Sequence, residues 1–346
     1  MNWALIGYGG MGHWHVNKLK TLPEIDIKGV YDIDPAKREA ARADGLHAWD
    51  TLEALLADPE VELVTIATPN DFHLPIAVEA MAAGKHVISE KPVTTSSLEL
   101  QQMIDASRKY NRIFTVHQNR RWDEDFRVIK KIYDENVLGP VFNIESRVQG
   151  SRGVPGDWRN RKLQGGGMIL DWGVHLLDQI LQLVDEPVVS VYCTVSHVTN
   201  DEVDDGFRTI ITFGSGLTAH VEVGTSNFAS LPRWYMTGEN GTAVINNWAI
   251  EGEIVKVFDW EKRDAVPVVT AAGLTKTMAP RTPETIRTEP LPRIDCDVRD
   301  FYRNIIKAIH GEEKQIVTHE QMMRVMRLME ALFRSAEANE VVHTRI

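Results

Sequence analysis

Short, almost uninterrupted apolar runs alternate with amphipathic stretches over the first 120 residues. The runs are WALIG (3–7), IKGVYD (27–32), VELVTIAT (61–68), KHVIS (85–89) and IFTVH (113–117). Between them the spacing predicts helices over about 11–20, 35–43, 51–57, 71–83 and 96–110. Continuous apolar strands separated by helices are buried on both faces, the pattern of a parallel, doubly wound sheet. From about residue 140 the texture changes. Segments 141–149, 188–198, 207–213, 217–225, 233–239 and 242–247 alternate apolar and polar positions and are joined by GSG and ENG turns. That alternation predicts an antiparallel sheet with one covered face. A helix is expected over 165–184, with two more over 296–310 and 319–338. The stretch 265–293, which holds Pro267, Pro280, Pro283, Pro290 and Pro292, suggests no element. The expected organisation is α/β throughout, with a doubly wound unit over 1–120 and a second α/β unit over 121–346.

A chain of 346 residues is too long for one ordinary core, which supports the division into two units. With 43% hydrophobic and 25% charged residues it has a globular composition. A formal charge of -11 argues against a nucleic-acid partner, because phosphate binding needs a basic face. Two cysteines, Cys193 and Cys296, make neither a disulfide framework nor a cysteine-based metal site. No apolar run approaches the roughly 20 residues that span a bilayer. The chain starts at once on an apolar strand with no basic leader, so the cytoplasm is the expected setting.

Gly7, Tyr8, Gly9, Gly10, Met11 and Gly12 form G-x-G-x-x-G between the first strand and the first helix. Asp32 ends the second strand, 20 residues past Gly12. In this context the glycines let the chain turn and let a pyrophosphate approach the helix start, while Asp32 accepts from an adenosine ribose. The aspartate charge repels a 2′-phosphate, which favours NAD, although the nearby Arg38 keeps NADP in play. Two further strand ends fall on the same expected ligand edge. ATPND places Ala67, Thr68, Pro69 and Asn70 there, with His73 just beyond; ISEKP places Glu90 and Lys91. The proline after Lys91 pushes that residue out of the helical region and permits a cis bond.

These pieces, together with GGGMILDWGVH (165–175), HQNRRWDEDF (117–126), DWR (157–159) and the turn at 238–241, resemble the Gfo/Idh/MocA family over essentially the whole chain. The resemblance implies a Rossmann domain followed by an α/β domain with a large, open, mainly antiparallel sheet often used in oligomer contacts. It also implies NAD(P)-dependent oxidation of sugars, inositols and related polyols. Lys91, Asp171 and His175 match the family's catalytic positions. Residues 67–73, Glu90, Lys91 and the segment containing Gln118 lie near the cofactor, and Trp158 and Arg159 match a segment that approaches nicotinamide and substrate. The stretch 265–293 aligns to no motif; a cover, an oligomer arm and a surface loop are all open for it.

On an ideal helix Asp171, His175, Asp178 and Gln182 share one face, against a largely apolar remainder. Such a stripe by itself reads as a face that meets water. A zinc pair is the second reading, but no cysteine or third ligand accompanies it. The third is proton transfer during hydride transfer: His175 as proton carrier, Asp171 as its partner, Lys91 polarising the same oxygen. The dinucleotide fingerprint makes the third the best. No metal is expected.

Asn119, Arg120, Arg152 and Trp158 join Lys91, Asp171 and His175 as candidate substrate contacts, the tryptophan offering an apolar face to a sugar ring. Arg147, Arg152, Arg159 and Arg161 also admit an anionic substrate such as a uronate. The expected protein is a homo-oligomeric dehydrogenase, dimer or tetramer, of a sugar, glycoside or inositol. Glycoside 3-dehydrogenation is a live subclass, and the rivals are an NAD(H) sensor and glycoside cleavage through transient oxidation.

Overall fold

The computed structural model describes residues 1–262, 267–275 and 278–346. The first unit carries five parallel strands: β1 (Asn2–Ile6), β2 (Asp26–Tyr31), β3 (Leu63–Ile66), β4 (His86–Ser89) and β5 (Phe114–Val116). Their order in the sheet is β2-β1-β3-β4-β5. Helices α1 (Gly10–Leu19), α2 (Pro35–Ala43), α3 (Leu52–Ala57), α4 (His73–Ala82) and α5 (Ser97–Tyr110) connect them. Each lies within a few residues of its expected place. The strands are almost wholly buried, β1 and β3 through Trp3, Leu5, Leu63 and Val64, which is why they read as continuous apolar runs. The order in which strands are added to the sheet reverses between the parallel neighbours β1 and β3, so the crevice beyond their carboxyl ends is the place this topology prepares for a ligand.

The second unit starts with α6 (Glu124–Asp134) and β6 (Val141–Gln149), then α7 (Val174–Leu183) and the strands β7 (Val188–Ser196), β8 (Gly206–Phe213) and β9 (Thr218–Gly224). Next come β10 (Trp234–Gly238), β11 (Gly241–Ile245), β12 (Gly252–Val257), the hairpin β13 (Val268–Thr270) and β14 (Gly273–Thr275), and β15 (Ile286–Pro290). Two helices, α8 (Arg299–Ile309) and α9 (His319–Ala338), and the short β16 (Val342–His343) complete it. Nine of these strands make one sheet, β15-β12-β11-β10-β6-β9-β8-β7-β16, antiparallel except where β6 meets β9. Helices α7 and α9 cover one face, where Val191, Ile211, Ala219 and Val221 are buried; the other face shows Ile210 and Arg208 to solvent. The architecture is therefore the expected one: a parallel Rossmann sheet followed by a large, mostly antiparallel sheet.

Three expectations change. The stretch 265–293, expected to carry no element, holds the β13–β14 hairpin, and β15 pairs with β12 to close one edge of the large sheet. Pro290 is tolerated there because it ends an edge strand. Residues 265, 266, 276 and 277 of that stretch lie outside the described ones. Helix α6 and strand β12 were not among the expected elements, although Phe126, Ile129 and Ile132 of α6 repeat at helical spacing on its buried side. Finally, α8 packs back on the first unit: Tyr302 hydrogen-bonds His15 and Arg299 reaches Thr21. Among the described residues no helix is long and apolar enough to cross a membrane.

Candidate active site

The glycine fingerprint divides into two roles. A Cβ on Gly7, at φ +100, would strike the Ala67 carbonyl oxygen at 2.6 Å, and one on Gly12 would strike the Gly7 carbonyl oxygen at 2.2 Å. These two glycines let strand, turn and helix pack. A Cβ on Gly9 or Gly10 would meet nothing within 4 Å, so the space over the start of α1 is open. Among the described residues no side chain caps that helix start. Free N–H groups beneath open space suit a dinucleotide pyrophosphate. Asp32 is buried at the end of β2, its two oxygens accepting the Tyr8 and Asp34 N–H groups at 2.7 and 2.9 Å. Lys37 stands 3.6 Å away, and Arg38 is turned to the carbonyls of Asp32 and Ile33. Tyr8 itself stacks on His13 and donates its hydroxyl to Asp44.

At the ends of β3 and β4 the side chains hold protein to protein. Asn70 donates to the Gln164 and Gly165 carbonyls of the second unit. His73 is fully buried among the carbonyl oxygens of Thr68, Pro92 and Val93, pinning the 67–73 turn to the Lys91–Pro92 turn, whose peptide bond is cis. The Glu90 carboxylate points inward, not into the crevice. Its Oε1 sits 2.8 Å from both His15 Nε2 and His117 Nδ1, and Oε2 accepts the Lys91 N–H. Tyr302 of α8 completes this cluster against His15. Burial works against the Glu90 charge, but the two histidines outweigh it and hold the carboxyl well below the usual range. The sequence reading missed His15, His117 and Tyr302; their only signals were the GHWH run and a histidine at the end of β5.

Lys91 then crosses to the second unit. Its Nζ donates to Asp171 Oδ1 at 2.9 Å and to the Asp171 carbonyl at 3.0 Å. Arg159 Nε reaches the other carboxylate oxygen at 3.1 Å while Nη1 pairs with Asp157. Burial would raise the Asp171 pKa, but the charges of Lys91 and Arg159 win and hold it low. His175 is buried one turn on, with Nδ1 lacking a partner among the described residues. Burial, with Lys91 and Arg120 adding like-charge repulsion, depresses its pKa well below the ordinary value, so the ring is neutral at physiological pH. The buried oxygens Gln118 Oε1 and Asn119 Oδ1 are also without partners among the described residues.

The helix beneath the pair is not the straight one expected over 165–184. Residues Ile169–Gly173 form a wide π turn before α7, and 165–167 are non-helical. The three glycines are needed for close approach of protein to protein. A Cβ on Gly166 would meet the Arg159 carbonyl oxygen at 2.3 Å, and one on Gly167 would meet Asp204 Oδ1 at 2.2 Å. The water-facing reading of the polar stripe fails: Asp171, His175 and Asp178 are 6%, 4% and 2% exposed. Asp178 does not share the site at all but makes a two-pronged buried pair with Arg121 at 2.6 and 2.7 Å.

Asp204 anchors the start of this turn. Its Oδ2 accepts the Ile169 N–H at 2.8 Å, and burial raises its pKa from 3.8 to about 6. The folded protein thus holds this proton more tightly than the unfolded chain. Stability falls as pH rises from about 3.8 to about 6, and the full cost, on the order of 2–3 kcal/mol, persists above that. Asp204→Asn keeps an acceptor for Ile169 and removes the charge. It is expected to raise the thermal midpoint by a few degrees at pH 8 and to leave it unchanged at pH 4; Asp204→Ala lowers it at both. Calorimetric scans at the two pH values check this.

Outward from Asp171 opens a cavity of about 690 Å³ lined by Arg120, Arg152, Met168, Trp172 and Trp248. Arg120 lies 4.1 Å from the Trp172 ring centre and pairs with Asp123. Arg152 is exposed at the cavity edge. Trp158 stands half-buried with the Arg159 guanidinium 4.6 Å from its ring and does not line this cavity. Arg147 is engaged by Glu145 and Glu222 on the large sheet.

Residues 1–118 match the NAD-binding Rossmann-fold domain of the Gfo/Idh/MocA oxidoreductases, and residues 126–244 match their C-terminal domain. The chain is 27% identical to the scyllo-inositol 2-dehydrogenase (NADP(+)) IolW of Bacillus subtilis, over 98% of this chain and 94% of that one. It is 29% identical to the D-glucoside 3-dehydrogenase of Escherichia coli, over 54% of each chain. The crystal structure of an NAD-binding protein from Listeria innocua superposes with a TM-score of 0.96 at 48% identity, over 99% of both chains. The chain thus belongs to the Gfo/Idh/MocA family of oxidoreductases, and it is an NAD(P)-dependent dehydrogenase acting on CH–OH groups.

Proposed function

We propose that the protein oxidises a ring secondary hydroxyl of a sugar, glycoside or cyclitol, with NAD as the preferred cofactor. The observation that carries this reading is the meeting of Lys91, from the ligand edge of the parallel sheet, with Asp171 and His175 of the second unit. Gly9, Gly10 and the free N–H groups at the start of α1 would hold the pyrophosphate of a nicotinamide dinucleotide, which would provide the hydride acceptor. His175, neutral in its buried pocket, takes the hydroxyl proton. Lys91 donates a hydrogen bond to the same substrate oxygen and stabilises the negative charge that grows on it. Asp171, held ionised by Lys91 and Arg159, fixes the lysine and accepts from a neighbouring hydroxyl. Gln118 and Asn119 offer buried acceptors for further hydroxyls. The dehydrogenases of scyllo-inositol and D-glucoside among the relatives support a polyol ring as substrate.

The test is nicotinamide absorbance on mixing the protein with NAD and a panel of inositols, hexoses and glycosides. Absence of any polyol-dependent change would sink the proposal. NAD preference rests on the Asp32 charge. Asp32→Asn keeps the size and removes the charge, and is expected to shift the NAD-to-NADP ratio of kcat/KM toward NADP by about tenfold or more. A wild-type preference for NADP would reverse this assignment. The outer face of the nine-stranded sheet, which exposes Ile210, is the surface we read as a contact between copies of the chain.

A further inference from the structure

The cavity beside Asp171 is larger than one polyol ring requires. A hexose has twelve non-hydrogen atoms, and even at a water molecule's ~30 Å³ apiece it fills roughly 360 Å³. The cavity measures about 690 Å³. Its outer wall is not ordinary surface. Trp248, in the loop between β11 and β12, is 51% exposed, unusual for a tryptophan in a monomer. Its ring centre lies 5.5 Å from the Arg120 guanidinium, 5.0 Å from that of Arg233 and 6.1 Å from the Trp172 ring. Both arginines are themselves fixed. Arg120 pairs with Asp123, and the buried Arg233 is held by Asp125, Ser146 and Gln179. The wall is therefore rigid, charge-compensated and aromatic, with guanidinium N–H groups beside ring faces. It matches a ring that is apolar on its face and polar at its rim.

We propose that Trp248, with Trp172 and Arg120, forms a subsite for the second ring of a two-ring substrate, a disaccharide or an aryl glycoside, whose first ring reacts at Lys91 and His175. The proposal rests on the dehydrogenase reading of that triad and goes beyond it by naming what the cavity outside the triad holds. Both rings are neutral. Arg152, at the exposed edge, is outside the stack.

The experiment is titration calorimetry on the NAD-loaded protein with three ligands built on one hexose: the methyl glycoside, the phenyl glycoside and the matching disaccharide. Gluco and galacto series are both used. The two-ring ligands are expected to bind about tenfold tighter than the methyl glycoside. Trp248→Ala removes roughly three- to tenfold of that gain and leaves the methyl glycoside within twofold. Trp248→Phe restores most of it. In turnover, Trp248→Ala raises KM for two-ring substrates and leaves kcat unchanged. Equal binding with and without the second ring overturns the subsite. So does an equal loss for one- and two-ring ligands, or a loss that tracks a change in gel-filtration position, which would mark Trp248 as a contact between copies. If two-ring ligands bind as described but no sugar reduces NAD, the subsite stands and the dehydrogenase reading falls. If sugars are oxidised without discrimination between one and two rings, the reverse holds. Failure of every ligand to bind overturns both.

Discussion

Lys91→Met is expected to lower kcat for polyol oxidation by roughly 10²–10³, with KM changed far less. Methionine keeps most of the lysine stem and removes the charged donor, so what is lost is the stabilisation of charge on the reacting oxygen. The fold is expected to survive, because Asp171 keeps Arg159 as a partner at 3.1 Å when Lys91 is gone. A second effect follows from the same geometry. Lys91 is the chief charge depressing the His175 pKa after burial, so the acid limb of kcat/KM moves to higher pH in the variant. Rate and limb measured together separate this role from a structural one. A misfolded variant would lose activity without a shifted limb, and a variant within tenfold of wild type would remove Lys91 from the chemistry.

His175→Asn is expected to cost about 10²–10⁴ in kcat, the usual worth of a positioned proton acceptor. In the wild type the acid limb of kcat/KM falls well under the ordinary histidine value of 6.5, since burial and the nearby Lys91 and Arg120 disfavour the imidazolium. A depressed pKa keeps the base in its working form down to low pH, and activity is lost only when the pH falls through that depressed value. In His175→Asn this limb disappears, and added imidazole restores part of the rate. Stopped-flow turnover across pH 4 to 9 reads both. A wild-type limb at or above the ordinary histidine value would contradict the neutral, buried ring.

Much of this site was legible along the chain because its parts are tied to strand ends. Gly7 to Gly12, Asp32 and Lys91 each follow an apolar run, and in a doubly wound sheet the ends of such runs share one edge. The pair Asp171 and His175 was visible as well, but its setting was misjudged. Helical periodicity alone put Asp178 on the same face and predicted water there. The π turn over Ile169–Gly173 and the Arg121 pair to Asp178 cannot be seen from spacing, because both depend on what packs against the helix. Glu90 shows the same limit. Its place beside Lys91 suggested a cofactor contact, whereas its carboxylate turns inward to His15 and His117, residues 75 and 27 positions away. Trp248 and Asp204 carried no local signal at all. One sits in a loop after an ordinary strand and the other in an acidic turn.

The two-unit α/β organisation and the ligand edge follow from periodicity along the chain and from glycines that only one kind of turn requires, whereas Lys91, Asp171 and His175 were singled out by the dinucleotide fingerprint and by the resemblance to the family. The charge state of those groups is set by packing. A carboxylate, a lysine and an imidazole acquire their charges from burial and from neighbours that arrive from distant parts of the chain: Arg159 for Asp171, Lys91 and Arg120 for His175. The size and aromatic wall of the cavity were decided at the same level, because they arise where Trp248, in the loop after β11, comes to lie beside Arg120 and Trp172.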